Sequence, residues 1–285
     1  MVRSARDRKW GAAVNPASEG QGAASARANR TRVYRRPLRD LLRIHSTVDF
    51  HDYGIEHAIE RYRLLRAEQG LGLGTVLSIG STHREARRFV EHPFDEFCLT
   101  GILDSDERLH EIASADPRVR YEKQNCERLG YASGSFDLVF CKEALHHLAR
   151  PVQGLYEILR VCRGAVLVLE PYDSQLDGLL RRLGLSTVYE SNQFGNLELR
   201  DNFVYRWNRK ELEFALKSLY LESGSSLELT LGWLSSRLNG HPNGAVRRFA
   251  ALAGWLVGFV PGSRGNYMTA LIAPGRDLPP DPEPF

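Results

Sequence analysis

Most of the residues whose types could do chemistry sit in four short turns, at residues 80–82, 104–106, 125–127 and 141–147, each just after an apolar run. At the first, Gly80 lets the backbone approach a ligand, and the helix start that follows offers N–H groups to an anion. A plain strand-to-helix turn also accounts for a single glycine. At the second, Asp104 stands where a carboxylate can accept two hydrogen bonds from ribose hydroxyls. The competing reading has Asp104 or Ser105 capping the next helix, with Asp106 on that helix's surface. His146 and His147 are adjacent, which is not the i, i+4 spacing that puts two metal ligands on one helical face, so no metal site is expected.

Turns of this kind do their work only if a sheet brings them to one edge. Thr75–Ile79 (TVLSI) is a β-branched run stopped by Gly80, and residues 82–91 read as a helix closed by Pro93. The alternation continues with an apolar run at 97–103, a helix at 106–113, a brief strand at 119–121, and apolar runs at 136–141 and 165–169 separated by a helix at 152–161. Runs this apolar are buried on both faces, as in a parallel sheet covered by helices. The fold class is therefore α/β, a Rossmann-like doubly wound sheet, mostly parallel, with an antiparallel last strand read at Tyr267–Ala273. In such a sheet the ligand crevice lies outside the carboxyl ends of the strands, where the four turns fall.

Around this unit the chain divides into a disordered basic leader at 1–36, a helical extension at 37–72 and the main domain at 73–285. The extension contains an amphipathic helix at 54–70. A helix with Asn208 as its cap runs to Leu219 and is followed by an alternating strand at 226–231. A helical insertion at 232–265 then interrupts the last hairpin. Trp233, Phe249, Leu252, Trp255, Leu256 and Phe259 can share one apolar face there, with Arg247 and Arg248 at its start. Core packing, a substrate lid and a membrane-surface helix are all open for that face.

The net charge of +3 hides an uneven distribution, because residues 1–36 hold nine Lys or Arg against two acids and leave the remainder at about −4. A mildly acidic body argues against a nucleic-acid-binding one. Cys98, Cys126, Cys141 and Cys162 show no C-x-x-C pairing and lie in or beside apolar runs, which favours free thiols in a reducing cytoplasm. No stretch is long enough for a membrane span, while peripheral contact is left open.

In succession, these turns resemble the class I S-adenosylmethionine-dependent methyltransferases, especially the small-molecule branch called type 11. The resemblance covers about residues 75–172 and is most specific at ERLGYASGSFDLVFCKEALHHLARP (127–151), where Asp137 falls on the family's strand acid and His147 on its histidine. The family's first motif, roughly hydrophobic-D-hydrophobic-G-x-G-x-G, is degenerate. VLSIGSTHRE has Ser78 at the acid, Thr82 and Arg84 at the second and third glycines, and only Gly80 in place. The ribose-binding acid aligns with Leu103, one place before Asp104, and Asn125 replaces an aspartate that reaches the adenine amino group.

The resemblance implies methyl transfer from S-adenosylmethionine to a small-molecule or lipid-linked acceptor. The cofactor would be lined by Gly80, Ser81, Asp104, Asn125, Cys126 and Cys141. On the acceptor side, His146, Glu170 and Tyr172 are candidates for orienting or deprotonating a hydroxyl, and no catalytic base is assigned. The alternative is a non-catalytic binding or regulatory protein that keeps the fold, as the missing glycines suggest. A dehydrogenase is disfavoured, since no G-x-G-x-x-G follows the first strand.

Overall fold

The computed structural model describes residues 30–35, 59–60, 62–64, 66, 73–103, 106–184, 186, 189–190, 193–194, 197–198, 202–219, 225–233, 241–260 and 262–273. Its centre is an eight-stranded sheet. In chain order the strands are β1 (Arg30–Arg35), β2 (Thr75–Ile79), β3 (Glu96–Gly101), β4 (Val119–Lys123), β5 (Phe136–Lys142), β6 (Cys162–Pro171), β7 (Ser226–Gly232) and β8 (Tyr267–Ala273). The helices are α1 (His83–Val90), α2 (Glu107–Ala115), α3 (Pro151–Val161), α4 (Gln175–Arg182), α5 (Arg209–Leu219) and α6 (Gly244–Val257).

Across the sheet the order is β1-β7-β8-β6-β5-β2-β3-β4. β8 runs antiparallel to both its neighbours and every other pairing is parallel, so the antiparallel last strand stands where it was expected. From β2 the chain winds outward to β3 and β4, then returns to place β5 on the other side of β2. That reversal makes the gap between β2 and β5 the topological switch point.

Each central strand is apolar on both sides because helices cover both faces. Leu77, Ile79, Val139, Val166 and Val168 pack with Leu155, Ile158 and Leu159 of α3 and with Leu212 of α5. On the opposite face Val76, Leu138, Phe140 and Leu167 pack with Ala86 and Phe89 of α1, Leu109 of α2, and Ile59 and Tyr62. Ile59 and Tyr62 belong to the helix expected at 54–70, most of which lies outside the described residues.

The leader does not reach residue 36 as expected. Arg30–Arg35 pairs in parallel with β7 as an edge strand, in register from Arg30↔Ser226 to Arg35↔Leu231. Its single aliphatic residue, Val33, packs against the core while Arg32 is exposed, the alternation of a strand with one dry face. Residues 1–29 lie outside the described residues.

The insertion is helical as expected, but its large apolar residues are not core. α6 buries Ala250 and Ala251 and leaves Phe249, Leu252 and Leu256 exposed, as is Phe259 just beyond it.

Candidate active site

The switch point is closed by a contact between two turns. Gly80 ends β2 with φ +61, in the left-handed region, and a β-carbon on it would come 2.8 Å from Cβ of Ala144, which follows β5. Only glycine accepts both the backbone angle and the approach. The next residue ties β2 to β3. Ser81 donates its N–H to the Thr100 carbonyl at 2.8 Å and its hydroxyl to the Ser78 carbonyl at 3.0 Å, and accepts the Thr100 N–H at 3.1 Å. Ser81 therefore holds the turn together, and Gly80 is the exposed surface there.

Thr82, at the family's second glycine, caps α1 in a reciprocal box with Glu85: Glu85 N–H donates to Thr82 Oγ1 at 3.4 Å, and Thr82 N–H donates to Glu85 Oε2 at 3.0 Å. The β-branched residue is thus used as a cap instead of crowding the turn. Ser78, at the family's acid, is fully buried and its hydroxyl has no hydrogen-bond partner among the described residues.

At the end of β3 the chain bends at Ile102 and Leu103, and the Tyr121 hydroxyl donates to the Leu103 carbonyl at 2.9 Å. Asp104 and Ser105 lie outside the described residues. The capping role once open to them belongs to Asp106, whose Oδ1 accepts the N–H groups of Arg108 and Leu109 at 3.1 and 3.2 Å. Asp106 is therefore not a plain surface residue, as expected, but the α2 N-cap.

Beyond β4, Asn125 is exposed and its Oδ1 accepts the Glu127 N–H at 2.9 Å, a local turn. Cys126 and Cys141 do not line an open surface. Both are core residues on the α3 face, and burial pushes both thiols up and keeps them protonated.

The ends of β5 and β6 carry a buried ionic cluster. Glu143 has φ 49, the sole positive φ outside glycine among the described residues, a costly conformation that the surroundings must hold. Its carboxylate pairs with Lys142, whose Nζ also lies 3.8 Å from Glu85. Glu170 is wholly buried; Oε1 accepts the N–H groups of Ala144 and Leu145 at 2.9 and 2.8 Å, and Oε2 lies 2.5 Å from Nδ1 of His146. His146 is 2% exposed and its ring packs on the half-buried His147. Glu170 is thus a positioning residue for the loop that contacts Gly80. Tyr172 is half-buried, with its hydroxyl pushed up by burial against the pull of the Arg209 N–H.

Glu85 and Lys142 were missed by the sequence reading. The T-H-R-E spacing of a capping box was the available signal for Glu85, and a lysine closing an apolar strand was the signal for Lys142. Burial pushes the Glu85 carboxyl up to about 7, against the downward pull of Lys142 and the Thr82 amide. Since the folded value lies above the unfolded one, this group's contribution is full below the unfolded carboxyl range and is lost as pH rises towards 7. Glu85→Gln keeps an acceptor for the Thr82 N–H and removes that loss. Urea denaturation across pH should show a flatter slope between about pH 4.5 and 7, and at about pH 8 a variant more stable by up to on the order of 3 kcal/mol. An unchanged slope would show that Glu85 is ionised throughout.

The doubly wound sheet, with its crevice at the β2–β5 switch point, defines a Rossmann-like α/β domain. Residues 82–169 match the family described as methyltransferase domain, and this part of the chain is similar to that enzyme class, whose methyl donor is S-adenosylmethionine. None of the curated proteins matches the chain. Among solved structures it is similar to the YcgJ protein from Bacillus subtilis, at 17% identity and TM-score 0.48, over 78% of this chain and 99% of that one. It is also similar to the Burkholderia thailandensis 1,6-didemethyltoxoflavin-N1-methyltransferase with bound 1,6-didemethyltoxoflavin and S-adenosylhomocysteine, at 13% identity and TM-score 0.46, over 79% of each chain. Among the described residues no helix is long and apolar enough to cross a membrane.

Proposed function

We propose that this domain transfers a methyl group from S-adenosylmethionine to a small-molecule or lipid-linked acceptor. The observation that carries the reading is the span of the family match, residues 82–169, which runs from the first crevice turn to the end of β6. Three residues support this reading: Gly80 is exposed and gives close backbone approach, Asn125 is exposed and carries an amide for adenine, and the sequence supplies Asp104 as the carboxylate for ribose. Bound there, the donor supplies an electrophilic methyl carbon on a sulfonium. The protein's part is alignment, because in-line transfer needs a fixed angle between donor and acceptor more than covalent help. Glu170 serves it by pinning Ala144, Leu145 and His146 beside Gly80, and Tyr172 lies on the acceptor side of that loop.

A second reading, a binding protein that keeps the fold, rests on one specific observation. The Ser81 and Thr82 N–H groups, which would otherwise face a ligand, are spent on Thr100 and Glu85. Calorimetric titration with S-adenosylhomocysteine separates the two. Binding in the micromolar range is expected, and no heat at high micromolar ligand would favour the second reading. Incubation with methyl-labelled donor and a cell extract, then partition of the label between water and chloroform, distinguishes a small-molecule acceptor from a lipid-linked one.

A further inference from the structure

The insertion between β7 and β8 has its large and small residues on the opposite sides from those of a packed helix. Ala250 and Ala251 are buried at 8% and 4% exposure, while Phe249, Leu252, Leu256 and Phe259 are 68%, 38%, 52% and 61% exposed. Spaced three and four apart, Phe249, Leu252 and Leu256 fall within about 60° of helical arc, away from the two alanines, and Phe259 follows in the turn just beyond the helix. Gly254 belongs to the inner side. A β-carbon there would come 2.9 Å from Cβ of Trp233, whose indole N–H donates to the Ser263 carbonyl at 2.8 Å. The helix is seated by its smallest side chains, and turning the stripe inward would break that seat.

Charge singles out the same segment. Residues 232–265 contain four arginines and no aspartate or glutamate, in a chain that is otherwise acidic beyond residue 36. Arg248 is exposed at the edge of the stripe, and Arg247 donates to the carbonyls of His241 and Pro242 at 2.6 and 2.9 Å at the helix start. The insertion springs from the crevice end of the sheet, where Asn266 donates to the Gly232 carbonyl and Tyr172 donates to the Asn266 carbonyl. An exposed Phe and Leu stripe on a segment whose charged residues are all arginines matches a surface with an apolar interior and anionic head groups. A second copy of the chain fits it poorly, since a self-complementary contact would bring the arginines of both insertions together.

We propose that α6 docks this end of the protein on an anionic lipid surface. Phe249, Leu252, Leu256 and Phe259 enter the boundary between head groups and acyl chains, and Arg248 meets the lipid phosphates. The docking needs no methyl donor, so it stands apart from the methyl-transfer reading.

Flotation of the full chain with vesicles of phosphatidylcholine and phosphatidylserine tests it. The wild type should float with these vesicles, less so at high salt, and remain behind with phosphatidylcholine alone. Phe249→Ser combined with Phe259→Ser should lower partition by at least about tenfold, and Arg248→Glu by less. Both variants should keep the wild-type melting temperature and S-adenosylhomocysteine affinity, because these side chains are outside the core. The proposal is overturned if the wild type stays at the bottom of the gradient with anionic vesicles, or if the double serine variant floats as well as the wild type. It is equally overturned if light scattering shows a dimer that the double variant abolishes while vesicle binding is absent.

Discussion

Arg160→Met should lower the stability of the fold by about 3–5 kcal/mol, the range for removing one partner of a buried ion pair. Arg160 and Glu157 lie one turn apart on α3, at 4% and 5% exposure. The guanidinium donates to both Glu157 oxygens at 2.9 Å, to the Tyr131 carbonyl at 2.7 Å and to the Leu129 carbonyl at 3.0 Å. Glu157 in turn accepts the Leu129 N–H at 2.8 Å. Methionine leaves a buried carboxylate without its cation and two carbonyls without their donor, so desolvation of Glu157 dominates the loss. Arg209→Met is the comparison. Its pair with Glu213 joins side chains 49% and 32% exposed and should cost under about 1 kcal/mol. Guanidinium denaturation of both variants measures the difference, and equal losses would show that the 129–131 loop is not held by this pair.

The stretch at 127–151 was legible in the sequence, whereas the ion pair that holds its turn was not. ERLGYASGSFDLVF shows the turn and the strand, but the groups that hold the turn come from α3, which periodicity reads only as an amphipathic helix. The same division runs through the chain. Thr75–Ile79 and Tyr267–Ala273 read to the residue, because each is an apolar run bounded by Gly or Pro and buried on both faces. β1 was missed because RTRVYR is basic with one aliphatic residue, and its partner β7 is remote in sequence. An edge strand needs only one dry face, and a single Val33 gives no periodicity to detect.

At the site, strand ends located the turns but not the direction of each side chain. Cys141 falls one residue before Lys142, so it faces the core while Lys142 joins the ionic cluster. Glu170 lies at the expected strand end, yet its carboxylate is consumed by two amides and a histidine. Three adjacent cap formers, Asp104, Ser105 and Asp106, are indistinguishable by propensity, and the geometry of α2 chose Asp106.

That choice sharpens the expectation for Asp104→Ala, which should weaken S-adenosylhomocysteine binding by roughly 10- to 150-fold. The range corresponds to about 1.5–3 kcal/mol for hydrogen bonds to a charged group. In a regular strand, a position one place beyond the family's acid would turn its side chain to the other face. The chain is not regular there: it bends at Ile102 and Leu103, and Tyr121 fixes the bend by donating to the Leu103 carbonyl. With Asp106 already serving as the cap, α2 does not need Asp104. Asp106→Ala should give the converse result, losing about 1 kcal/mol of stability through two uncapped amides with affinity unchanged. Titration calorimetry and urea denaturation of the two variants give both readouts. If Asp106→Ala instead loses affinity, the ribose carboxylate is two residues later than proposed. If Asp104→Ala binds as the wild type does, the ribose is held by another group, and the one-residue shift has taken this acid out of donor binding.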